Sequence, residues 1–583
     1  MKKLIVVILV IAMALAIVAC GGKTDEPQGQ AGTAPEASQS AGTSPGSSSG
    51  SSPGTSQAAP PEVPMPEAAG GVQMSTFNGP TGSVTRYITE APGKSTKADP
   101  TTLYLGQMIP VENGNPGFGS DSAFYEAVFD PFITFDYDTG EYVGYVIKDW
   151  KLADDCLSME ITIHDNILFH DGTKATMEDI IYSLYRLSRA DLSRQSDKTI
   201  FGNIDFDNCE ITSDYSGKLV FFRPAITVVS GFTKAWIFSK NHIETLGEDD
   251  AWWDSTMGTG PYAVESIIQG DRYNLVRNNN YWGDVKGSFE KVVIRYYAEA
   301  STMYIDYETE VLDIIVNPLA VDASRVINGD VDNTICDIYP MLYLAVVRFN
   351  AFMNPELMDI NVRKAICLSI DEVMVNKIVF DFLGSPTTAL APDGVGNLFV
   401  GAMKQDLDAA KQALADAGYG PGELKLSLGT NTNNVNLNIA EALQAQIAES
   451  GIVVDIITAE PSVNLNNLRN EGPDIYDFAQ GFLIYTALEP AAMLNAVSGA
   501  VGANSFNAII DDHVDELAVR ASLATTVKEK NDLITELQQY LLENYWIRPL
   551  LNQRVAIVYR DYITGIRVIA PRMPNINAVA LVG

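Results

Sequence analysis

The chain has 583 residues, 73 of them acidic and 39 basic, for a formal net charge of −34. So acidic a body repels nucleic acid and anionic headgroups, and no nucleic acid is expected among its partners. What it binds is expected to be neutral, cationic or small.

The chain opens with Lys2 and Lys3 before an apolar run, Leu4 to Ala19, that stops at Ile17-Val18-Ala19-Cys20. A charged start, an apolar stretch and a small-residue cleavage site make a secretory signal. The run is shorter than the roughly 20 apolar residues that span a bilayer core. A cysteine directly after Ala19 resembles a lipobox, with Ile17 where leucine is usual. Residues 1–19 are therefore expected to be a lipoprotein signal peptide. Cys20 is the expected lipidation site, holding the chain to the cell membrane by lipid alone, on the extracellular face or in a periplasm if a second membrane exists. Residues 20–97 are rich in Gly, Ser, Pro, Ala, Thr and Gln, cannot bury a core, and are expected to be a disordered tether. Four further cysteines, Cys156, Cys209, Cys336 and Cys367, are too widely spaced for a metal or redox motif.

From about Thr101 the length suffices for two or more domains. Leu103-Tyr104-Leu105 reads as an opening strand, followed by a Gly/Asn/Pro loop from Glu112 to Ser120. Met159 to His164 alternates like a strand, and His170-Asp171-Gly172 supplies a turn. Thr176 with Asp179 makes a capping-box start for a helix whose stripe is Met177, Ile180, Ile181, Leu184 and Leu187. Asp406 to Ala417, closed by Gly418, and Lys528 to Tyr545 are two more amphipathic helices. Leu424 to Leu428, a helix from about Leu437 to Glu449, and Ile452 to Thr458 form a β-α-β unit, which implies a parallel sheet in a mixed α/β fold.

Catalytic signatures are missing: the chain has no G-x-S-x-G elbow, no H-E-x-x-H pair and no phosphate loop. Asp136-Tyr137-Asp138-Thr139-Gly140 starts like a calcium loop, but the closing pattern fails and a plain turn is the better reading. His164 and His170 lack a third ligand and read as packing residues. No enzyme activity, metal or cofactor is expected.

Several segments resemble the extracellular solute-binding proteins of family 5, the peptide-binding receptors of ATP-binding-cassette (ABC) importers. Phe129-Asp130-Pro131-Phe132 through Asp138-Thr139-Gly140-Glu141 is similar to the family's "L-x-x-x-D-x-x-T-G-E". Trp150 to Leu157 follows "W-x-x-S-x-D-G-L", with Cys156 where the glycine stands. Phe169 to Asp179 resembles "F-H-D-G-T-x-x-T-A-E-D", Gly258 to Tyr262 "G-T-G-P-Y", and Arg277 to Trp282 "R-N-P-x-Y-W". Val362 to Asp371 and Asp408 to Tyr419 continue the order.

The resemblance implies a two-lobed binding-protein fold of class II with an extra third region, its mixed sheets flanked by helices. Lobe I would comprise 98–133, 258–344 and 546–583, the small extra region 134–257, and lobe II 345–545. It also implies capture of a small peptide or other small solute by hinge closure and delivery to a permease driven by an ATPase, the receptor itself being a monomer.

One segment departs from the pattern. Where peptide binders carry "G-W-x-A-D-Y-x-[DE]-P", with an aspartate for the ligand's amino terminus, this chain has Gly481 to Pro490 with Tyr485 or Thr486 at the aspartate position. Phe482 and Tyr485 are then expected as aromatic walls of the cleft, Thr486 as a polar handle and Glu489 as a partner for a cationic group. Asn350, Asn113 and Asn115 are expected to reach the ligand by hydrogen bonds. The departure leaves open a non-peptide ligand (a sugar, a metal chelate or an amine-blocked compound), and the long tether leaves open a surface sensing or adhesion lipoprotein.

Overall fold

The computed structural model describes residues 65–582 apart from 80–81, 90–96, 112, 118–122, 137–140, 190, 194–197, 199, 285–286, 352–353, 382, 393–394, 396–402, 461–462, 465–475, 486–488, 502–508, 510 and 570–572. The expectations for residues 1–19, Cys20, Thr486 and the turn at 137–140 lie outside the described residues.

A thirteen-stranded mixed sheet runs through the described chain. From one edge its path is Tyr262–Ile268, Arg272–Arg277, Lys291–Tyr296, Thr102–Gln107, Ile314–Val316, Ile547–Arg560, Thr334–Phe349, Phe478–Ile484, Lys425–Asn431 and Val453–Ala459. Parallel pairing of Lys425–Asn431 with Val453–Ala459, across the helix Asn434–Ala448, is the β-α-β unit the sequence implies. The other expected helices form at Met177–Leu187, Leu407–Asp416 and Val527–Glu543. Their caps are the residues the patterns single out. Asp179 accepts from the Thr176 N–H at 2.9 Å, and Asp406 accepts from Ala409 at 2.9 Å.

Thr334–Phe349 and Ile547–Arg560, of 16 and 14 residues, are long antiparallel partners that pass without a break from one hydrophobic core to another. Tyr339, Met341, Val555 and Ile557 belong to the first core, which also holds the residues of the small region. Leu342, Leu344, Leu550 and Leu551 belong to the second, which packs the helices and strands of lobe II. The changeover coincides with a loss of register. Pro340 pairs with Arg554 and Leu344 with Asn552, so four steps on one strand face two on the other, and a second irregularity follows at Ala345/Val346. On its other side the first strand is held by Gly82–Thr89 along Thr334–Ile338 and by Phe478–Ile484 along Tyr343–Phe349, so Tyr339–Leu342 belongs to neither ladder. A proline without an N–H and two bulges make this the compliant part of otherwise stiff strands. It is the hinge.

The hairpin Val72–Gly79 and Gly82–Thr89 corrects the expected tether, which was drawn through to residue 97. Gly82–Thr89 adds to the main sheet, and Arg86 forms a two-bonded ion pair with buried Asp337, 2.7 Å for each bond. Its alternating Thr85, Tyr87 and Thr89 bury one face while Val84 packs on the other, a strand pattern inside a segment whose flanks are rich in Gly, Ala and Pro. Lys97, the last residue of the expected tether, reaches Asp313 at 2.6 Å.

Lobe I and the small region meet at a polar seam built from the segments that carry the family resemblance. On the lobe I side Asp130 is 1 % exposed and its carboxylate accepts from the Tyr281 hydroxyl at 2.9 Å and the Trp282 indole at 2.7 Å, while the Tyr281 hydroxyl lies 2.7 Å from that of Tyr145 in the small region. His170 Nδ1 accepts from the Gly258 N–H at 3.2 Å and its Nε2 donates to the Gly260 carbonyl at 3.1 Å. Gly258 and Gly260 are required here, because a Cβ would lie 2.0 Å from the Val128 oxygen and 2.4 Å from that of Ala127.

Burial pushes the Asp130 carboxyl up to about 6 and the His170 imidazole down to about 4. The two shifts oppose each other in their effect on stability. As pH falls from about 6.5 to about 4, the unfolded chain gains a proton on His170 first and the fold weakens. Over nearly the same window the fold protonates Asp130 first and strengthens, each effect reaching about 3 kcal/mol. Asp130→Asn is therefore expected to lose stability steadily over that window in urea unfolding, whereas His170→Gln is expected to gain it. Parallel pH profiles for both variants would refute this assignment.

Candidate functional site

In a two-lobed binding protein a captured solute lies between the lobes, so the segments to consider are Tyr339–Leu344, Leu551–Arg554 and the surfaces on either side of them. Phe482 stands in the central strand of lobe II opposite Ala345, half-buried against that lobe's core. Tyr485 follows the same strand at its hinge end. Its N–H donates to Leu342 at 2.9 Å, its hydroxyl donates to the Leu390 carbonyl, and it is 1 % exposed. Burial pushes its phenol well above the usual tyrosine range. The expectation of Tyr485 as a cleft wall is corrected: with the hydroxyl met by a carbonyl of the same lobe, it is a core residue of lobe II.

Glu489 also differs from its expected role. It caps the short turn Pro490–Met493, accepting from Ala491 at 3.1 Å, and pairs with the nearly buried Lys530 at 2.6 Å. A cation from its own lobe already occupies the place proposed for a ligand cation. Its field still reaches across to the small region, where burial and then the Glu489 charge push the Tyr142 phenol up. Neither was legible as a neighbour of Glu489, since Lys530 lies 41 positions on and Tyr142 belongs to a distant segment of the chain.

Asn350 donates its N–H to Asp477 at 2.9 Å and its amide to the Tyr476 carbonyl at 3.1 Å. It sits where Phe349 pairs with Phe478, at the end of the strand remote from Tyr485, roughly 20 Å away at 3.3 Å per residue. The two cannot meet one small group together. Asn113 accepts from the Asn115 N–H at 3.1 Å and Asn115 from that of Gly117 at 2.9 Å. Gly114 donates to Trp252 at 2.5 Å, which fastens this loop to the small region. Both asparagines shape the loop by capping their own backbone. Thr486, the polar handle, lies outside the described residues.

Asn552 is a residue the sequence analysis missed. It lies in the hinge between Leu344 on one neighbour and Ser385 on the other, fully buried, with neither end of its amide meeting a hydrogen-bond partner among the described residues. Its only sequence signal is the polar triplet Asn552-Gln553-Arg554 that interrupts an otherwise largely apolar strand. Among the described residues no group of three or more His, Cys, Asp or Glu side chains is arranged to hold a metal.

The sequence profile of the bacterial extracellular solute-binding proteins, family 5, matches residues 141–501. The chain belongs to that family. Proteins similar to this chain include the Escherichia coli periplasmic murein peptide-binding protein MppA, 23% identical over 73% of this chain and 82% of its own length. The Haemophilus influenzae peptide transport periplasmic protein SapA is 21% identical, over 61% of this chain but only 64% of its own length. Among solved structures, NikA from Brucella suis in complex with Fe(III)-EDTA superposes with a TM-score of 0.74 at 17% identity, covering 83% of this chain and all of that one. DppA from Helicobacter pylori in complex with the peptide STSA gives 0.70 at 19%, covering 82% and 98%. At these identities the likeness is one of fold.

Within the family fold, Tyr485→Phe strands a buried Leu390 carbonyl and is expected to cost about 1–2 kcal/mol. Solute binding should stay unchanged because the ring keeps its place in the core. Urea unfolding beside a binding titration checks this, and lost binding at unchanged stability would return Tyr485 to the cleft.

Proposed function

We propose that this chain is the solute-capturing subunit of an ABC importer, taking peptides or peptide-like solutes that need not offer a free amine. The observation that carries the reading is the pair of long strands shared by two separate cores, with bulges and Pro340 at the changeover. Two rigid lobes on one compliant seam can close on a solute, and closure is favoured to the extent that the solute touches both lobes at once. A permease and ATPase of the membrane are the partners of such a subunit. In this reading the chain is held at the outer face by lipid on Cys20, so labelled palmitate should be incorporated in the native chain and lost in Cys20→Ser.

A peptide ammonium buried in the cleft needs an unpaired carboxylate. Glu489, the acid nearest the aspartate position, is spent on Lys530. Neutral groups must then do the recognising, and the Asn552 amide is placed for it. A second reading, a non-peptide solute such as a sugar or metal chelate, is favoured by the same observation.

A thermal-shift series tests both readings, with free and acetylated peptides, oligosaccharides and metal chelates. A solute at a hundredfold excess over its Kd stabilises by about 2.7 kcal/mol, a shift of a few degrees. Acetylated peptides are expected to shift the midpoint at least as far as free ones. A response to sugars or chelates alone would replace the peptide reading. Asn552→Leu, close in shape but without the unpaired amide, is expected to raise stability by about 1 kcal/mol and weaken binding of the responding compound. Raised stability with unaltered binding would remove Asn552 from the site.

A further inference from the structure

The strands Ile147–Leu152 and Ser158–Ile163 of the small region are joined by a tight turn through Asp154, Asp155 and Cys156. Cys156 holds a left-handed backbone, φ 57°, at the position where the resembling family has glycine. A side chain there is disfavoured by the backbone. The turn is fully tied: Cys156 donates its N–H to Ala153 and accepts from Ala225, each at 2.9 Å, while Asp155 accepts from Leu157 at 2.9 Å. The strained position therefore aims a side chain in a fixed direction.

That direction is toward the other lobe. Cys156 Sγ lies 3.5 Å from the carbonyl oxygen of Thr525, in the corner between the lobe II helices Asp512–Ser522 and Val527–Glu543, and the residue is 3 % exposed. Burial and the neighbouring Asp155 and Asp154 raise the thiol's pKa, which keeps it a protonated donor to that carbonyl. Just beyond the corner, Lys530 holds Glu489 toward Tyr142 of the small region. Neither contact involves the hinge strands.

We propose that the Cys156 turn is a closure latch, seated in the Thr525 corner of lobe II, that holds the lobes together without touching the solute. The latch rests on the hinge-closure reading above. It sets the balance between open and closed forms, so it adjusts affinity by the fraction of molecules already closed.

Small-angle X-ray scattering of the full soluble chain, with no solute present, tests the latch. Cys156→Glu sets a carboxylate against the Thr525 carbonyl and is expected to enlarge the radius of gyration, with Cys156→Gly enlarging it less. Both should keep the native circular dichroism. Pro340→Gly, which loosens the hinge itself, is the control for lobe motion. If Pro340→Gly changes the scattering and Cys156→Glu does not, the lobes move but the latch is refuted. If neither variant changes it, the latch falls together with the hinge reading.

A second measurement needs no variant. Site-resolved alkylation by N-ethylmaleimide should be about tenfold or more slower at Cys156 in the native chain than in the urea-unfolded one, and alkylated molecules should scatter as the open form. Labelling at the unfolded rate would overturn the seat.

Discussion

Everything this molecule can do mechanically follows from two strands that belong to both lobes at once. Backbone N–H and C=O groups in a ladder must stay paired, so a strand clamped on both sides cannot bend without breaking hydrogen bonds. Thr334–Ile338 is clamped between Gly82–Thr89 and Ile547–Arg560, and Val346–Arg348 between Phe478–Ile484 and the same partner. Bending is therefore confined to the few residues between, where Pro340 offers no donor and four residues face two. The hairpin at 72–89 matters for this reason. By extending the clamp along the lobe I half, it shortens the compliant stretch and sharpens the hinge.

The most recognisable segments of the sequence prove to be concerned with rigidity. His170 bonds to the Gly258–Gly260 loop and the Tyr145 hydroxyl to that of Tyr281, joining the small region to a lobe I cluster in which Asp130 holds Tyr281 and Trp282. A buried carboxylate there costs desolvation, which its raised pKa records, and the indole and phenol bonds recover part of it. The geometric return is a small region fastened to lobe I by bonds from His170 and Tyr145. Only a region so fastened could carry the Cys156 turn and Tyr142 to a fixed place on lobe II.

The sequence made these segments legible because each is local: a turn followed by a cap, a glycine pair, an aromatic pair after asparagines. The β-α-β unit and the helix caps were legible on the same ground, since period and capping act within a few residues. The site was not. Tyr485 read as a cleft wall because an aromatic ring beside a missing aspartate looks the same in sequence whether its hydroxyl meets solvent or the Leu390 carbonyl 95 positions earlier. Glu489 read as free because Lys530, 41 positions on, is invisible to any local pattern. The hairpin was hidden by composition, one alternating segment lying within a long Gly, Ser and Pro context.

The charge arrangement at Glu489 bears on how closure is driven. An ion pair held wholly within lobe II exists in open and closed forms alike, so it offers a solute no differential interaction and cannot shift the balance toward closure. An unpaired carboxylate facing the gap would do so, since an arriving ammonium would neutralise it only when the lobes shut. With Lys530 in that position, the driving force must come from groups whose satisfaction changes on closure. In the proposed reading Asn552 is such a group: a buried amide without a partner among the described residues costs about 1–3 kcal/mol, and a solute that hydrogen-bonds it would recover that cost only while seated at the hinge. Because the cost is carried by the two strands that bend, its relief is coupled directly to their angle, and recognition by a neutral amide becomes a means of closing the lobes.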